Sequence, residues 1–483
     1  MDSDNNKEIV NDMKEIYRTA PPEKLRSLID KHFIPSEREK KDNAEIPTPV
    51  KLVDEMLEKI PKEYWNQINK TFEPCCGKGN FVLGIFDKFY NGLNELYPDK
   101  KERCKKIVET CIYFSDLEEL NVFIVKQLLL CHCELYTNER IKYKFNSNVG
   151  NTLELDIQEQ WGIKGFNAFI CNPPYQASIN GVSKGGGNNL YTKFIYYADK
   201  NLNHNGYILY INPPTYFSPG RSNNKDNMNL RKDVLDKYYY YYINLEECAK
   251  YFNIGSKFIY YLIQKNNKKN NKLKIVCKYN KKVYNTILNQ ELLIRDYLPY
   301  LLINECLTIL NKIKNKDICK LKIFHSPDNR SDKKHVIKKM KNETYENYKK
   351  KALENGFTYP MQATSVQIVY SSNKCKNQND KKILMSRSGY LKPFYDNGIL
   401  GVGGHCFACL VKDENEGNKI IQLLNSKLYK FYIETNKWSG FHNKKVLQDL
   451  PNIINEIKTL NDEIIYKYFN LTKKEIQFVE ANI

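Results

Sequence analysis

The chain has 483 residues, with 75 Lys and Arg against 56 Asp and Glu for a formal charge of +19. That length allows two or three domains with a full core, and the basic excess points to a polyanionic partner, nucleic acid first and an anionic membrane surface second. No run approaches the ~18 apolar residues of a membrane span, and 14 cysteines behind an acidic, non-signal-like start (Met1-Asp2-Ser3-Asp4) read as reduced thiols of a cytoplasmic protein.

Residues 1–43 are charged and helix-permissive, broken by Pro21-Pro22 and Pro35, and read as an N-terminal helical extension. Beyond it Thr48 suits an N-cap and Pro49 the first helical position. Val50, Leu52, Val53, Met56, Leu57 and Ile60 follow at helical spacing. Thr71-Phe72-Glu73 reads as a strand running into Pro74-Cys75-Cys76-Gly77-Lys78-Gly79-Asn80, a glycine loop, and then an apolar helix from Phe81. Gly77 and Gly79 allow the backbone to approach a ligand, and Lys78 between them is expected to point to solvent. Such a loop alone is weak. The acid Glu73 before it strengthens it, and so does the strand Cys111–Ser115 ending in Asp116, a carboxylate placed to bind ribose hydroxyls. A third strand end falls at Val149-Gly150-Asn151-Thr152-Leu153.

Ala168-Phe169-Ile170-Cys171 has the profile of a buried parallel strand and ends in Asn172-Pro173-Pro174-Tyr175. Asn172 offers a side-chain carbonyl, Pro173 can present only its C=O, Pro174 stiffens the turn, and Tyr175 brings a flat ring. Two acceptors aimed at an amino group under an aromatic face would hold an extruded adenine. The plain alternative is a Pro-Pro turn after a strand.

A Gly/Asn loop (185–189), a helix Leu190–Leu202 and a strand Tyr207–Ile211 come next, the last ending in a second Asn-Pro-Pro, Asn212-Pro213-Pro214. That copy lacks an aromatic directly after the prolines. Further strands are expected at Tyr239–Asn244, Phe258–Gln264 and Leu273–Tyr279. Residues 44–290 therefore predict an α/β domain, a mainly parallel Rossmann-like sheet with helices on both faces. Residues 291–483 read as a second, mixed α+β domain, with an amphipathic helix Tyr300–Ile313 and a basic, loop-rich stretch Lys312–Lys351.

In this order the motifs resemble the adenine-N6 DNA methyltransferases of restriction–modification systems, of the type called gamma. The resemblance covers residues 44–280 well and the remainder loosely. It implies S-adenosyl-L-methionine as cofactor, double-stranded DNA as partner and base flipping. Thr48 and Pro49 would close over the methionine part of the cofactor. Glu73, Cys75, Gly77 and Gly79 match the glycine-loop motif, and Asp116 with Leu117 match the ribose and adenine contacts. Asn151 and Thr152 would lie near the cofactor's adenine amine, where the family usually has Asp in place of Asn151. Leu190-Tyr191-Thr192-Lys193-Phe194 resembles the helix motif beyond the catalytic loop, with Phe194 a candidate pocket wall. Phe252 would face Tyr175 across the adenine, unless it is a core residue at a strand start. The resemblance further implies a target-recognition domain at 291–483, a monomer with no membrane role, and a separate cognate restriction endonuclease.

Two rivals stand beside this reading. One is an RNA or protein-glutamine methyltransferase on the same fold, against which the long basic second domain argues. The other is a silent DNA-binding protein that keeps the fold. His405-Cys406-Phe407-Ala408-Cys409 carries half of a zinc spacing and finds no second C-x2-C, so no metal is expected.

Overall fold

Short apolar runs become the strands of one sheet. The computed structural model describes residues 48–175, 190–219, 230–246, 258–266, 272–293, 296–325, 342–375, 377–438 and 440–483, with a few residues between these stretches. Thr71–Glu73 (β1), Ile112–Asp116 (β2), Asn146–Val149 (β3), Phe166–Cys171 (β4), Leu202–Asn212 (β5), Tyr239–Asn244 (β6), Ile259–Gln264 (β7), Leu273–Tyr279 (β8) and Lys282–Leu288 (β9) form a nine-stranded sheet. Its order is β9-β8-β6-β7-β5-β4-β1-β2-β3. β1 runs parallel to β2 and β4, β2 to β3, β4 to β5 and β6 to β8, while β7 is antiparallel to both β5 and β6. The order turns back between β1 and β4, so the crevice at the carboxyl ends of those two strands is where an open α/β sheet receives a ligand.

Helices cover both faces, as the alternating pattern predicts. Val50–Leu57 (α1), Lys62–Trp65 (α2), Asn80–Gly92 (α3), Lys100–Lys106 (α4) and Glu119–Thr137 (α5) share one core with Phe114, Ile170, Leu209, Ile211 and Leu262 of the sheet. The opposite face is aromatic. Phe72 stacks on Phe166 at 4.7 Å and meets Trp161 of Ile157–Trp161 (α6), and Phe169 meets Tyr197 of Leu190–Asn201 (α7). Burying each such side chain is worth ~1.5–3 kcal/mol, which is what holds a parallel sheet between two helical layers.

Some boundaries differ from expectation. Pro49, not Thr48, stands at the N-cap of α1, and its carbonyl accepts from Leu52 and Val53 N–H. The third strand does end at Val149, as expected, and the chain then turns through a 3-10 segment, Thr152–Glu154. β9 is a strand that sequence reading left out. The helix expected from Tyr300 begins at Asn304, because the Tyr300 N–H bonds the Thr435 carbonyl instead.

The chain divides into two compact units, Met1–Tyr216 with Ser222–Lys278 and Val283–Ile294, and Phe217–Arg221 with Tyr279–Lys282 and Arg295–Ile483. The second unit holds Asn304–Lys314 (α8), Ile323–Phe324 (β10), Val336–Ile337 (β11), Tyr345–Glu354 (α9), Tyr359–Gln362 (β12), Ile368–Ser371 (β13), Lys381–Ser386 (β14), Phe394–Asn397 (β15), Gly401–Val402 (β16) and Cys406–Leu410 (β17). Its strands form two four-stranded sheets, β10-β17-β14-β15 and β11-β13-β12-β16. Glu414–Asn425 (α10), Lys427–Thr435 (α11), Lys444–Gln448 (α12), Asp462–Tyr468 (α13) and Lys473–Glu480 (α14) complete it. Part of the stretch read as loop is therefore α9. The Thr344 hydroxyl caps its first turn, and Tyr348 and Ala352 bury one face beside Tyr370. Between β14 and β15, Lys382 and Asp396 form a buried ion pair at 2.7 Å, the ammonium held also by the Gln378 and Asp380 carbonyls.

Candidate active site

β1 and β4 end side by side, with Thr71 opposite Ala168 and Phe72 opposite Phe169. That register carries the glycine loop and the Asn-Pro-Pro-Tyr turn to the same edge. In the loop, Gly77 and Gly79 take positive φ of 47° and 93°. The φ of Gly79 favours glycine, and a Cβ there would lie 3.0 Å from Val125 Cγ2, so that any side chain would also have to push Val125 aside.

The acids expected to bind the cofactor end the strands that flank this loop. Asp116, at the end of β2, accepts from Gly77 N–H at 2.8 Å, from Glu118 N–H at 3.0 Å and from the Asn121 amide at 3.1 Å. Glu73, at the end of β1, is 2% exposed, and among the described residues no donor reaches its Oε2. Burial first, then the Asp116 carboxylate, pushes the Glu73 carboxyl well above the usual carboxylate range, against the Val82 backbone N–H. A buried carboxylate oxygen without a donor costs free energy that an incoming hydroxyl or ammonium group would remove.

Lys78 corrects the sequence reading. Its side chain is 9% exposed, and Nζ donates to Asn121 Oδ1 at 2.6 Å, so it reaches Asp116 through Asn121 instead of pointing to solvent. Buried ammonium groups require such partners. The Cys75 thiol lies beside that of Cys171, the residue before Asn172, and burial raises both above the ordinary thiol value.

At the turn, the Asn172 amide donates to Thr48 Oγ1 at 3.1 Å, and the Tyr175 hydroxyl donates to Asn172 Oδ1 at 2.5 Å. The Thr48 carbonyl in turn accepts from the Asn80 amide at 2.7 Å. One hydrogen-bonded path thus runs from the start of α3 through Thr48 to Asn172 and Tyr175, which explains why the Thr48 hydroxyl does not cap α1. Pro173 is buried, Pro174 half-buried, and no donor among the described residues reaches the Pro173 carbonyl. Burial raises the Tyr175 phenol well above its ordinary value. Its ring stacks on Phe258 with centroids 4.8 Å apart and planes at 27°. Phe252 lies outside the described residues, so Phe258 is the aromatic found facing Tyr175.

The remaining candidates divide. Thr152 donates to the Pro74 carbonyl at 2.7 Å and so joins the glycine loop. Pro49 is half-buried beside Thr48, and Phe194 is buried in α7. Leu117 is exposed. Asn151 is exposed and turns its amide onto its own 3-10 segment, donating to Glu154 at 2.6 Å. Asn212, of the second Asn-Pro-Pro, is sealed: its amide meets the Tyr261 hydroxyl at 3.2 Å, and the Tyr216 hydroxyl donates to its Oδ1 at 2.8 Å. Sequence reasoning missed Asn121 and Phe258. The one signal for Asn121 was a polar residue five positions past the strand-end acid.

Among the described residues no three His, Cys, Asp or Glu side chains group as a metal site, and no helix is long and apolar enough to cross a membrane. No curated protein matches the chain. Solved structures do. The type IIL restriction-modification enzyme MmeI in complex with DNA is 9% identical, over 87% of this chain and 69% of that one, with a TM-score of 0.55. That likeness shows the fold. The type IIG restriction endonuclease BpuSI is 10% identical over 94% of this chain and 63% of its own, with a TM-score of 0.44. A modification subunit from Vibrio vulnificus YJ016 is 15% identical over 54% of this chain and 53% of its own, with a TM-score of 0.38. The chain thus spans between half and two thirds of the first two solved chains it matches. Within the sequence itself, residues 110–252, which carry β2, β4 and the Asn172 turn, match the model of the Eco57I restriction-modification methylase family.

Proposed function

We propose that the chain is a site-specific DNA methyltransferase that moves the methyl group of S-adenosyl-L-methionine to N6 of an adenine flipped out of a duplex. The observation that carries this reading is the path from the cofactor-type loop through Thr48 to Asn172. The family match across the same turn and a fold shared with a DNA-bound restriction–modification enzyme support it.

The residues fit the cofactor. Glu73 has a buried oxygen awaiting a donor, Asp116 fastens the Gly77 backbone, and glycines open the loop. When bound, the group supplies an electrophilic methyl. The chain supplies the rest. The adenine N6 lone pair is delocalised into the ring and nucleophilically poor. Asn172 Oδ1 and the Pro173 carbonyl accept its two N–H bonds, which favours a pyramidal nitrogen with its lone pair free. At rest the Tyr175 hydroxyl fills Oδ1, so the incoming amine displaces it, and the Tyr175 and Phe258 rings part to receive the base. Stacking at ~1–3 kcal/mol per base offsets much of the flipping cost. Among the described residues no side chain of the turn serves as a strong base, so the proton left on N6 after transfer passes to water, and rate enhancement comes from positioning and electrostatics. The second unit would recognise the target sequence.

Incubating the protein with methyl-labelled S-adenosylmethionine and DNA, RNA or protein in parallel tests the reading. Label should enter DNA alone, as N6-methyladenine at one sequence. Label in RNA or protein would overturn it.

A further inference from the structure

We propose that one end of the second unit, built from loops 363–367, 386–392, 403–405 and 440–442, is the surface that reads base edges of duplex DNA. This rests on DNA being the substrate and says which part of the chain recognises it.

The four loops are tied into one body by the main chain. β12 and β16 pair in parallel, and Gly403 N–H bonds the Gln362 carbonyl at 3.0 Å. A Cβ on Gly403 would lie 2.3 Å from that oxygen, so the contact leaves room for no side chain. Arg387 N–H bonds the His405 carbonyl at 2.9 Å, and His442 N–H bonds the Arg387 carbonyl at 2.6 Å. Loops clamped in this way present their side chains without the ordering cost of free ones.

Those side chains suit a polyanion with a patterned edge. No residue of the four loops is acidic, whereas Arg387, Lys392, His405 and His442 stand among them. One carboxylate beside them, Glu434, is engaged by His442 at 2.9 Å and Lys437 at 3.7 Å. The Arg387 guanidinium lies over the rings of Phe407 at 5.8 Å and Phe441 at 5.5 Å, with Nη1 on the Gly404 carbonyl at 3.4 Å. Packing between rings fixes the plane of its donor fork, the group that pairs with guanine O6 and N7 in the major groove. Gly389 has φ of 84° and packs against His442, where a Cβ would come within 2.7 Å of the ring, and this turn holds Tyr390 out in water at 86% exposure. Val366, at the tip of 363–367, is 92% exposed, the kind of group that meets a thymine methyl. The basic stretch 312–351 is a different element, suited to phosphates, which position without reading.

The test uses the full chain. Wild-type protein with S-adenosylmethionine is offered a pool of randomised duplexes; the bound fraction is sequenced, and methylation of the selected duplex is followed in parallel. Wild type should enrich one sequence. Tyr390→Ala and Arg387→Lys should each lower the preference for that sequence over its single-base variants by about ten-fold, with affinity for unselected duplex within about two-fold. Tyr390→Ala carries the test alone if the Arg387 variant misfolds, since its side chain contributes little to the core. No enrichment by wild type, or undiminished preference in the variants, overturns the surface. Site-specific methylation unchanged in the variants would refute the surface and leave the enzyme reading standing; variant-sensitive selection without methylation would do the reverse.

Discussion

The Asn172 side-chain amide donates to Thr48 Oγ1 at 3.1 Å, across 124 positions of sequence. The oxygen proposed to hold the target amine is therefore aimed by a residue outside its own turn. Thr48→Val keeps the shape and removes the acceptor. We expect kcat to fall about ten-fold while KM for cofactor and DNA changes little, and Thr48→Ser to restore the rate. Steady-state kinetics on the three proteins decide it; a loss confined to KM would make Thr48 a wall of the cofactor site only.

The two Asn-Pro-Pro turns should part company under mutation. Each asparagine accepts a tyrosine hydroxyl, Tyr175 or Tyr216, yet Asn212 is 0% exposed and Asn172 half-exposed. Asn172→Ala should abolish methyl transfer and leave cofactor binding and stability nearly unchanged. Asn212→Ala takes one hydrogen-bond partner from each of two buried hydroxyls and should lower unfolding free energy by ~1–3 kcal/mol, with normal turnover per folded molecule. Urea denaturation and transfer assays on both would expose a reversal.

Glu73 gives a pH signature. Its folded carboxyl is held well above the ordinary value of 4.5, chiefly by burial. The folded state then binds this proton more tightly than the unfolded chain. Its contribution to stability is full below that ordinary value and is lost as pH rises from there through the folded value. The melting temperature of ligand-free protein should fall over this rise, and less so in Glu73→Gln. Parallel pH profiles for the two proteins would remove Glu73 as the cause.

Asp116 and Lys78 should affect cofactor affinity unequally. Asp116→Ala removes a proposed ligand and also frees the Gly77 N–H, so binding should weaken by ~1.5–3 kcal/mol. Lys78→Met removes the hydrogen bond to Asn121 and should cost less. Calorimetry with S-adenosylmethionine ranks them; equal losses would mean that Lys78 contacts the ligand itself.

DNA affinity should depend steeply on salt. If ~6–8 phosphates are neutralised, log K falls against log[salt] with a slope of about −5 to −7. A flat response would mean that the basic excess is solvated surface.

Much of this was readable in the chain. Phe169-Ile170-Cys171 and Ile112-Tyr113-Phe114 are apolar runs with abrupt polar ends, and such ends become strand termini because a buried backbone must pair before it can stop. Lys78 was misread for a physical reason: a cation between two glycines belongs in water unless a distant amide takes it, and Asn121 lies 43 residues on. Thr48 was misassigned for the same kind of reason, its hydroxyl being claimed by Asn172 once β4 is in register with β1. Phe258 sits at the edge of a strand whose pattern predicts core, and only the folded register shows which ring Tyr175 meets. Local pattern reports elements; partners chosen across the sheet lie beyond it.

The clasp of Tyr175 on Asn172 bears on what happens when no DNA is present. A phenol whose pKa burial has raised stays neutral, and its proton is spent on an amide oxygen. Neutral phenols are feeble toward alkylating agents, whereas phenolates react readily. An idle protein holding a reactive methyl donor beside this turn would therefore offer it no phenolate at Tyr175, and peptide mass mapping should find that residue unmethylated after long storage in that state.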